Sequence, residues 1–420
     1  MPAGTFQQPA GPGLPPGVAG AAYRDVPAFC RVQATLTPTK DSDIKVEVWL
    51  PATGWNGKFV AVGNGVWAGQ LSYSAMADPL KRGYAVATTD TGHAGSGLDA
   101  HWAVGHPEKL VDFGYRAVHG MVVTGKAAID ALYGKRPGKS YWDACSTGGR
   151  QGLMEVQRFP ADYDGIVAGD PTSDFTRLTL GGRLWVAKAT LKDPASYIQA
   201  AKIPVIAKAV LAACDAQDGV KDGILADPRQ CRFDPATIQC KAADSPNCLT
   251  APQVEALRKI YAGSTDSRGA QIFPGYMPGG EDGPGGWALY VSGSAPKRGA
   301  QYLSADGFAR YMVKQDPAYD SLSFDYDRDM PAAIAKLSKA IDAVDPDLSG
   351  FEKRGGKLIQ YHGWSDPGVS PMSSVLYYES VVRRHDPGGN PLRPSSQAWH
   401  RTWDFYRLFM VPGMQHCVGG

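Results

Sequence analysis

Three residue types that together can transfer an acyl group, a serine, a histidine and an acid, occur in this chain in positions where local sequence would hold them. Ser146 lies in Tyr141-Trp-Asp-Ala-Cys-Ser-Thr-Gly-Gly149, between a short apolar run and a helix-like segment from Arg150 to Phe159. A serine at a sharp strand-to-helix turn is pushed out of the sheet, and its neighbours must be small because strand and helix pack closely there. Ala144 and Gly148 meet that need. The usual signature is GxSxG and here reads AxSxG, so an ordinary Gly-rich turn accounts for the pentapeptide about equally well.

The far end of the chain supplies a base. Tyr406-Arg-Leu-Phe-Met-Val-Pro-Gly-Met-Gln-His-Cys417 reads as a strand, a turn and then His416 beside Cys417. Ser146 also has an adjacent cysteine, Cys145. If Cys145 and Cys417 are bridged, their Cα atoms lie within about 7 Å, which draws the hydroxyl and the imidazole together. Serine elbows of open α/β sheets take their partners in the chain order Ser, Asp or Glu, His, so the acid falls between these two. Lys357-Leu-Ile-Gln-Tyr-His-Gly-Trp-Ser-Asp366 offers a strand followed by a polar turn ending in Asp366.

The succession Cys-Ser, Gly-x-Ser-Asp, His-Cys resembles the tannase and feruloyl esterase family of serine hydrolases, which includes hydrolases of mono(hydroxyethyl) terephthalate. The similarity runs from about Pro27 to the C-terminus. The resemblance implies an α/β-hydrolase fold with a large inserted lid domain. It makes Ser146 the nucleophile, His416 the general base and Asp366 the acid that orients it. It also makes Cys145–Cys417 a disulfide at the catalytic site. Two departures from the family are Ala144 in place of glycine and an end at Gly420, three residues after Cys417.

The elements that must position these residues follow in order. Met1 to Gly20 is Pro/Gly/Ala-rich and reads as a flexible lead-in. The alternating runs Arg31–Leu36 and Ile44–Leu50 read as an antiparallel pair at a sheet edge. Lys58–Val62 is a buried strand opening into the loop Gly63-Asn-Gly65. In α/β-hydrolases that loop gives one oxyanion N–H and the residue after the nucleophile gives the other, so Gly65 and Thr147 are the candidates. A tight turn permitted by Gly63 and Gly65 is an equally good local reading. Gly83–Asp90 is the next strand, and His93 in the loop after it lies upstream of the serine, against the triad order. Phe113–Leu132 has helical spacing, with Val118, Met121, Val122, Ala127 and Leu132 as its apolar stripe, and Gly165–Pro171 is a strand again. Strand, helix, elbow, helix and strand make a parallel, doubly wound arrangement.

These boundaries give a catalytic domain of residues 1–171 and 344–420, interrupted by a lid domain of residues 172–343. The lid contains Cys214-Asp-Ala-Gln-Asp-Gly-Val-Lys-Asp-Gly-Ile224, whose oxygen-rich carboxylates and tight glycine bends suit a hard cation such as calcium. It is not an EF-hand, because the twelfth position counted from Asp218 is Arg229 rather than glutamate. An acidic surface turn is the plainer alternative. The resemblance assigns calcium to this loop as a structural ion, with side chains from Asp215, Asp218 and Asp222 and carbonyls from Val220 and Ile224. Cys214 and Cys231 bracket the loop, and Cys240 and Cys248 would close a smaller one. By the same resemblance Trp287 packs on an aromatic acyl group and Arg298 holds a free substrate carboxylate, although Trp287 also reads as a core residue of a small domain.

Composition sets the outer bounds. Of 420 residues 43% are hydrophobic and 20% charged, with a net charge of +2, which offers nothing to a nucleic acid or an acidic polymer. No apolar run reaches the roughly 18 residues of a membrane span, so no membrane partner is expected. The seven cysteines indicate an oxidising compartment, hence secretion or a periplasm, with a signal peptide absent from the chain as given. Cys30 is the odd one, its family partner lying upstream. The substrates implied are small aromatic esters, feruloyl first, with galloyl esters or terephthalate half-esters as alternatives. A calcium-dependent binding protein that has lost catalysis is the reading from a different class.

Overall fold

Residues 1–9, 23–390 and 393–419 are described by the structure, a computed structural model. Its strands are β1 (Phe29–Leu36), β2 (Ile44–Pro51), β3 (Lys58–Val62), β4 (Ala85–Thr89), β5 (Lys139–Cys145), β6 (Gly165–Gly169), β7 (Gly263–Thr265), β8 (Gln271–Pro274), β9 (Lys357–Gly363) and β10 (Tyr406–Val411). Eight of them form one sheet in the order β1-β2-β4-β3-β5-β6-β9-β10, and β7 pairs with β8 in a separate hairpin. The pairs β3/β4, β3/β5 and β5/β6 are parallel. Central strands covered on both faces need continuous apolar runs, and Phe-Val-Ala-Val in β3 and Ala-Val-Ala in β4 are such runs, buried throughout. The sheet and its flanking helices make this an α/β-hydrolase fold.

The edge is an antiparallel β1/β2 pair in register from Phe29↔Pro51 to Leu36↔Ile44, as the alternation predicts. Its stability depends on a buried carboxylate. Glu47 is fully enclosed, which costs heavily unless donors surround it, and Arg31 Nε at 2.5 Å, Trp49 Nε1 at 2.6 Å and Tyr73 OH at 3.0 Å do so. Next to it Phe6 is buried edge-on against Trp49 (4.6 Å) and Tyr23 (4.9 Å). Met1 N donates to Phe29 O, and Gly4 N to Val26 O. The lead-in is therefore anchored over residues 1–9, because an aromatic side chain in it has a place in the core; residues 10–20 lie outside the described residues.

The helix Ala117–Tyr133 buries Val118, Met121, Val122, Gly125 and Ile129, while Ala127 and Leu132 are exposed. The apolar stripe follows the helical period through a glycine that hydrophobicity alone does not mark. Gly125 belongs on that face because a Cβ there would sit 3.0 Å from the Phe59 ring.

The chain forms two compact units. The first comprises Met1–Ser173, Ala340–Gln360 and Ser380–Arg407, and the second Asp174–Lys339, Tyr361–Glu379 and Leu408–Gly420. The last two segments, assigned from sequence to the catalytic domain, pack closely within the second unit. Gly280 approaches Ser365 so closely that a Cβ would lie 2.4 Å from the Ser365 Cβ, and one on Gly363 would lie 2.2 Å from Met414 O. The second unit has its own core of Val186, Ile206, Val210, Leu249, Leu257 and Trp287, among others. Disulfides Cys214–Cys231 and Cys240–Cys248, with Cα separations of 5.3 and 5.0 Å, fasten its loops. Cys30 is an exposed free thiol.

Candidate active site

On the first unit, Ser146 follows the last residue of β5 and precedes the helix Thr147–Arg158, with φ 64° and ψ −124°. A non-glycine residue at positive φ is costly and persists only where its surroundings enforce it. Several contacts enforce it here. Ser146 N donates to Gly169 O at 2.9 Å, Ser146 O accepts from Arg150 N at 3.1 Å, and Trp142 Nε1 donates to Gly148 O at 3.0 Å. The small neighbours are forced by contact. A Cβ on Gly148 would lie 2.5 Å from the Ala144 methyl, and one on Gly63 would lie 2.8 Å from that methyl and 2.7 Å from Gly148 Cα. The turn thus tolerates one methyl, and Ala144 carries it.

The loop after β3 meets the same turn. Thr147 Oγ1 donates to Val66 O at 2.8 Å, and Asn64 and Gln151 exchange two hydrogen bonds, Asn64 N to Gln151 Oε1 at 3.2 Å and Gln151 Nε2 to Asn64 Oδ1 at 3.1 Å. The backbone N–H groups of Gly65 and Thr147 have no acceptor among the described residues. Beneath the turn Arg150 is fully buried, donating to the carbonyls of Phe113, Gly114 and Ile341 with its guanidinium 4.9 Å from the Phe113 ring centre. Burial brings its pKa down to about 10. His93 is buried, with Nε2 2.6 Å from Trp67 O and its ring stacked 3.9 Å from Trp102. Desolvation lowers its pKa to about 4. A neutral imidazole spent on a carbonyl acts as a structural group.

On the second unit, His416 Nδ1 stands 2.7 Å from Asp366 Oδ2. Asp366 Oδ1 accepts from Gly368 N (2.7 Å) and Val369 N (2.8 Å), which fixes the carboxylate plane. His362 Nε2 lies 3.2 Å from Asp366 Oδ2, while its Nδ1 is 2.6 Å from Ser374 Oγ. Burial pushes the Asp366 carboxyl up, but the charge of His416 and the hydrogen bonds from His362 and His416 outweigh it and hold it well below the ordinary carboxylate range. A charged carboxylate facing Nδ1 makes that nitrogen the donor and leaves Nε2 as the basic atom. Tyr290 stands edge-on to the His416 ring with centroids 6.1 Å apart.

Sequence reasoning overlooked His362 and Arg150. The alternation of β9, which buries Leu358, Gln360 and His362 on one face, was a usable signal for the first. Nothing in the sequence marks Arg150 as buried. Trp287, expected to face substrate, is instead enclosed in the second unit's core, 5.6 Å from the Tyr261 ring, where it packs with Ile260, Tyr276 and Val291 in one apolar cluster. Arg298 is exposed.

A family model described as tannase and feruloyl esterase matches residues 30–420. The chain belongs to that family. An uncharacterised esterase of Xanthomonas campestris pv. campestris is 41% identical over 430 residues, covering 100% of this chain and 73% of the relative. A protein of Aspergillus terreus named "Probable feruloyl esterase B-2" is 34% identical over 407 residues, covering 96% and 73%. Among solved structures, feruloyl esterase B from Aspergillus oryzae superposes with a TM-score of 0.86 at 31% identity, covering 100% of this chain and 79% of that one. Tannin acyl hydrolase from Aspergillus niger gives 0.77 at 26% identity, covering 93% and 74%. Membership makes the chain a carboxylic ester hydrolase acting on small ester substrates.

In the second unit's acidic loop the aspartates cap their own backbone. Asp215 Oδ1 accepts from Gly223 N, Asp218 from Val220 N and Ala226 N, and Asp222 from Ile224 N, all at 3.0–3.1 Å. Those N–H groups hold the Asp218 carboxyl below its usual range. The donors are all oxygens, which fits a hard cation, but the three carboxylates do not converge within 4.8 Å of one another. Ile224 of this loop reaches Gly413, on the turn that carries His416. Among the described residues no helix is long and apolar enough to cross a membrane.

Proposed function

We propose that the protein hydrolyses esters of aromatic acids, feruloyl esters foremost, through a serine acyl-enzyme. The observation that carries this is His416 Nδ1 held 2.7 Å from a buried, charged Asp366, in a chain whose relatives are named feruloyl esterase and tannin acyl hydrolase. In this reading Ser146 is the nucleophile, His416 Nε2 takes its proton, and Asp366 stabilises the imidazolium that results. The N–H groups of Gly65 and Thr147 receive the oxyanion. Water activated by the same imidazole then releases the acid. A Cys145–Cys417 disulfide is the proposed tether of nucleophile to base, and Arg298 the proposed contact for a charged or polar substrate end.

Calcium completes the proposal. Asp215, Asp218 and Asp222 with the carbonyls of Val220 and Ile224 would hold it, and binding would draw the carboxylates together; it supplies rigidity to the loop and takes no part in the chemistry. The disulfides of the second unit favour secretion or a periplasm. A panel of methyl ferulate, methyl gallate and a terephthalate half-ester, assayed with Ser146→Ala alongside, tests the reading. Fastest turnover on methyl ferulate, abolished by the substitution together with fluorophosphonate labelling, is expected. A Ser146→Ala protein with undiminished turnover refutes the assignment.

A further inference from the structure

At the end of the helix Thr147–Arg158 remote from Ser146, the first unit holds a buried carboxylate that the ester chemistry does not use. Glu155 is 1% exposed, and neither of its oxygens has a hydrogen-bond donor. One ligand atom from each of Glu155, Asp162 and His119 lies within 4.8 Å of the others. His119 Nδ1 is 2.6 Å from Asp162 Oδ2, and the flat stacking of its ring on Phe159, at 4.0 Å, fixes the ring's orientation. Two ionised carboxylates cannot satisfy each other. Either a proton or a metal cation must sit between Glu155 and Asp162.

Among the described residues no lysine or arginine hydrogen-bonds to either carboxylate, although Lys126 lies near enough to act on Glu155 through its charge. Lys126 Nζ donates to the backbone carbonyl of Asp162 and to neither carboxylate. Asp164 and Arg354, the other charges acting on Lys126, offset each other in sign. The Tyr163 hydroxyl is also buried without a partner. His119 is 37% exposed at its side chain and Asp162 12%, so an ion has a way in past the imidazole edge.

We infer that His119, Glu155 and Asp162 bind a divalent first-row transition metal of the zinc class. One imidazole nitrogen and two carboxylate oxygens suit such an ion better than calcium or magnesium, which prefer all-oxygen shells. Three protein ligands leave a fourth position for water. The helix rises about 1.5 Å per residue, so this site stands roughly a dozen ångströms from the serine and acts on stability rather than on ester cleavage. On binding, His119 stays a neutral imidazole with its proton on the nitrogen that does not face the metal, the proton held by the carboxylate pair goes to solvent, and no redox step is involved.

The test uses the full chain, chelator-treated and then saturated with calcium so that the acidic loop is occupied. Co2+ should give a visible ligand-field band, and Zn2+ should compete it away with a stoichiometry of one per chain and raise Tm. His119→Ala, at a half-exposed position, should fold normally and bind at least about tenfold more weakly. Glu155→Gln should abolish binding while raising the metal-free Tm. Ester turnover of His119→Ala should match that of the unmodified protein. Absence of any cobalt band in the unmodified protein, or equal binding by both variants, overturns the assignment and leaves a shared proton as the occupant.

Discussion

Replacing Asp366 by Asn removes a charge without removing volume, and the surrounding hydrogen bonds dictate how the amide will sit. Gly368 N and Val369 N both donate to Oδ1, so the amide oxygen must take that position. Its NH2 then faces His416 Nδ1 at the 2.7 Å now spanned by a carboxylate oxygen. Two donors cannot share that contact. The imidazole relieves it by moving its proton to Nε2, which is the atom needed as base. A histidine in the wrong tautomer lowers kcat by about 10⁴-fold in a serine triad, or about 5 kcal/mol at 1.36 kcal/mol per decade. KM should change little, because the acid does not touch substrate. Since the two backbone hydrogen bonds survive, Tm should stay within a few degrees. Stopped assays with methyl ferulate, together with thermal melts, measure all three quantities. A loss in kcat smaller than about tenfold in a fully folded variant would falsify the role given to Asp366.

Three further outcomes are expected. His93 is neutral when folded, with a pKa of about 4 against an unfolded value near 6.5, so the unfolded chain binds the extra proton first and stability falls as pH drops from about 6.5 to about 4. The loss approaches about 3 kcal/mol, and urea titrations across that range should show it flattened in His93→Phe. Arg150→Met leaves the Phe113, Gly114 and Ile341 carbonyls without their donor and should lower unfolding free energy by about 2–4 kcal/mol, seen as a shift in urea midpoint. Calcium removal should lower Tm and increase proteolytic nicking around residues 215–226; identical digestion patterns with and without chelator would argue against the loop as a calcium site.

Much of the sheet was legible because its signals are local. Alternation marked β1 and β2, continuous apolar runs marked β3 and β4, and the small residues flanking Ser146 marked a turn whose backbone is strained in the structure. What escaped depends on contacts distant in sequence. Phe6 sits in a glycine- and proline-rich stretch, yet it fills an aromatic cluster with Trp49 and Tyr73. Trp287 lies in a stretch read as facing substrate, but it is part of the second unit's apolar core. Gly125 interrupts an apolar stripe in hydrophobicity while continuing it in space. The candidate base and its acid were reached through the cysteine beside His416, the chain order and the family resemblance; His362, which shares the acid, was hidden in a strand noted only for where it ended.

The crowding at the serine turn has a consequence for how relatives are recognised. Positions 144 and 148 compete for one volume, because a Cβ on Gly148 would lie 2.5 Å from the Ala144 methyl, whereas one on Gly63 would meet the Gly148 backbone at 2.7 Å whatever stands at 144. Relatives of this protein can therefore be expected to keep glycine at the position of Gly63 and to exchange which of the other two bears the extra carbon. A pattern that insists on glycine two places ahead of the nucleophile rejects such chains, whereas one that sums side-chain carbons across the strand end and the neighbouring helix retains them.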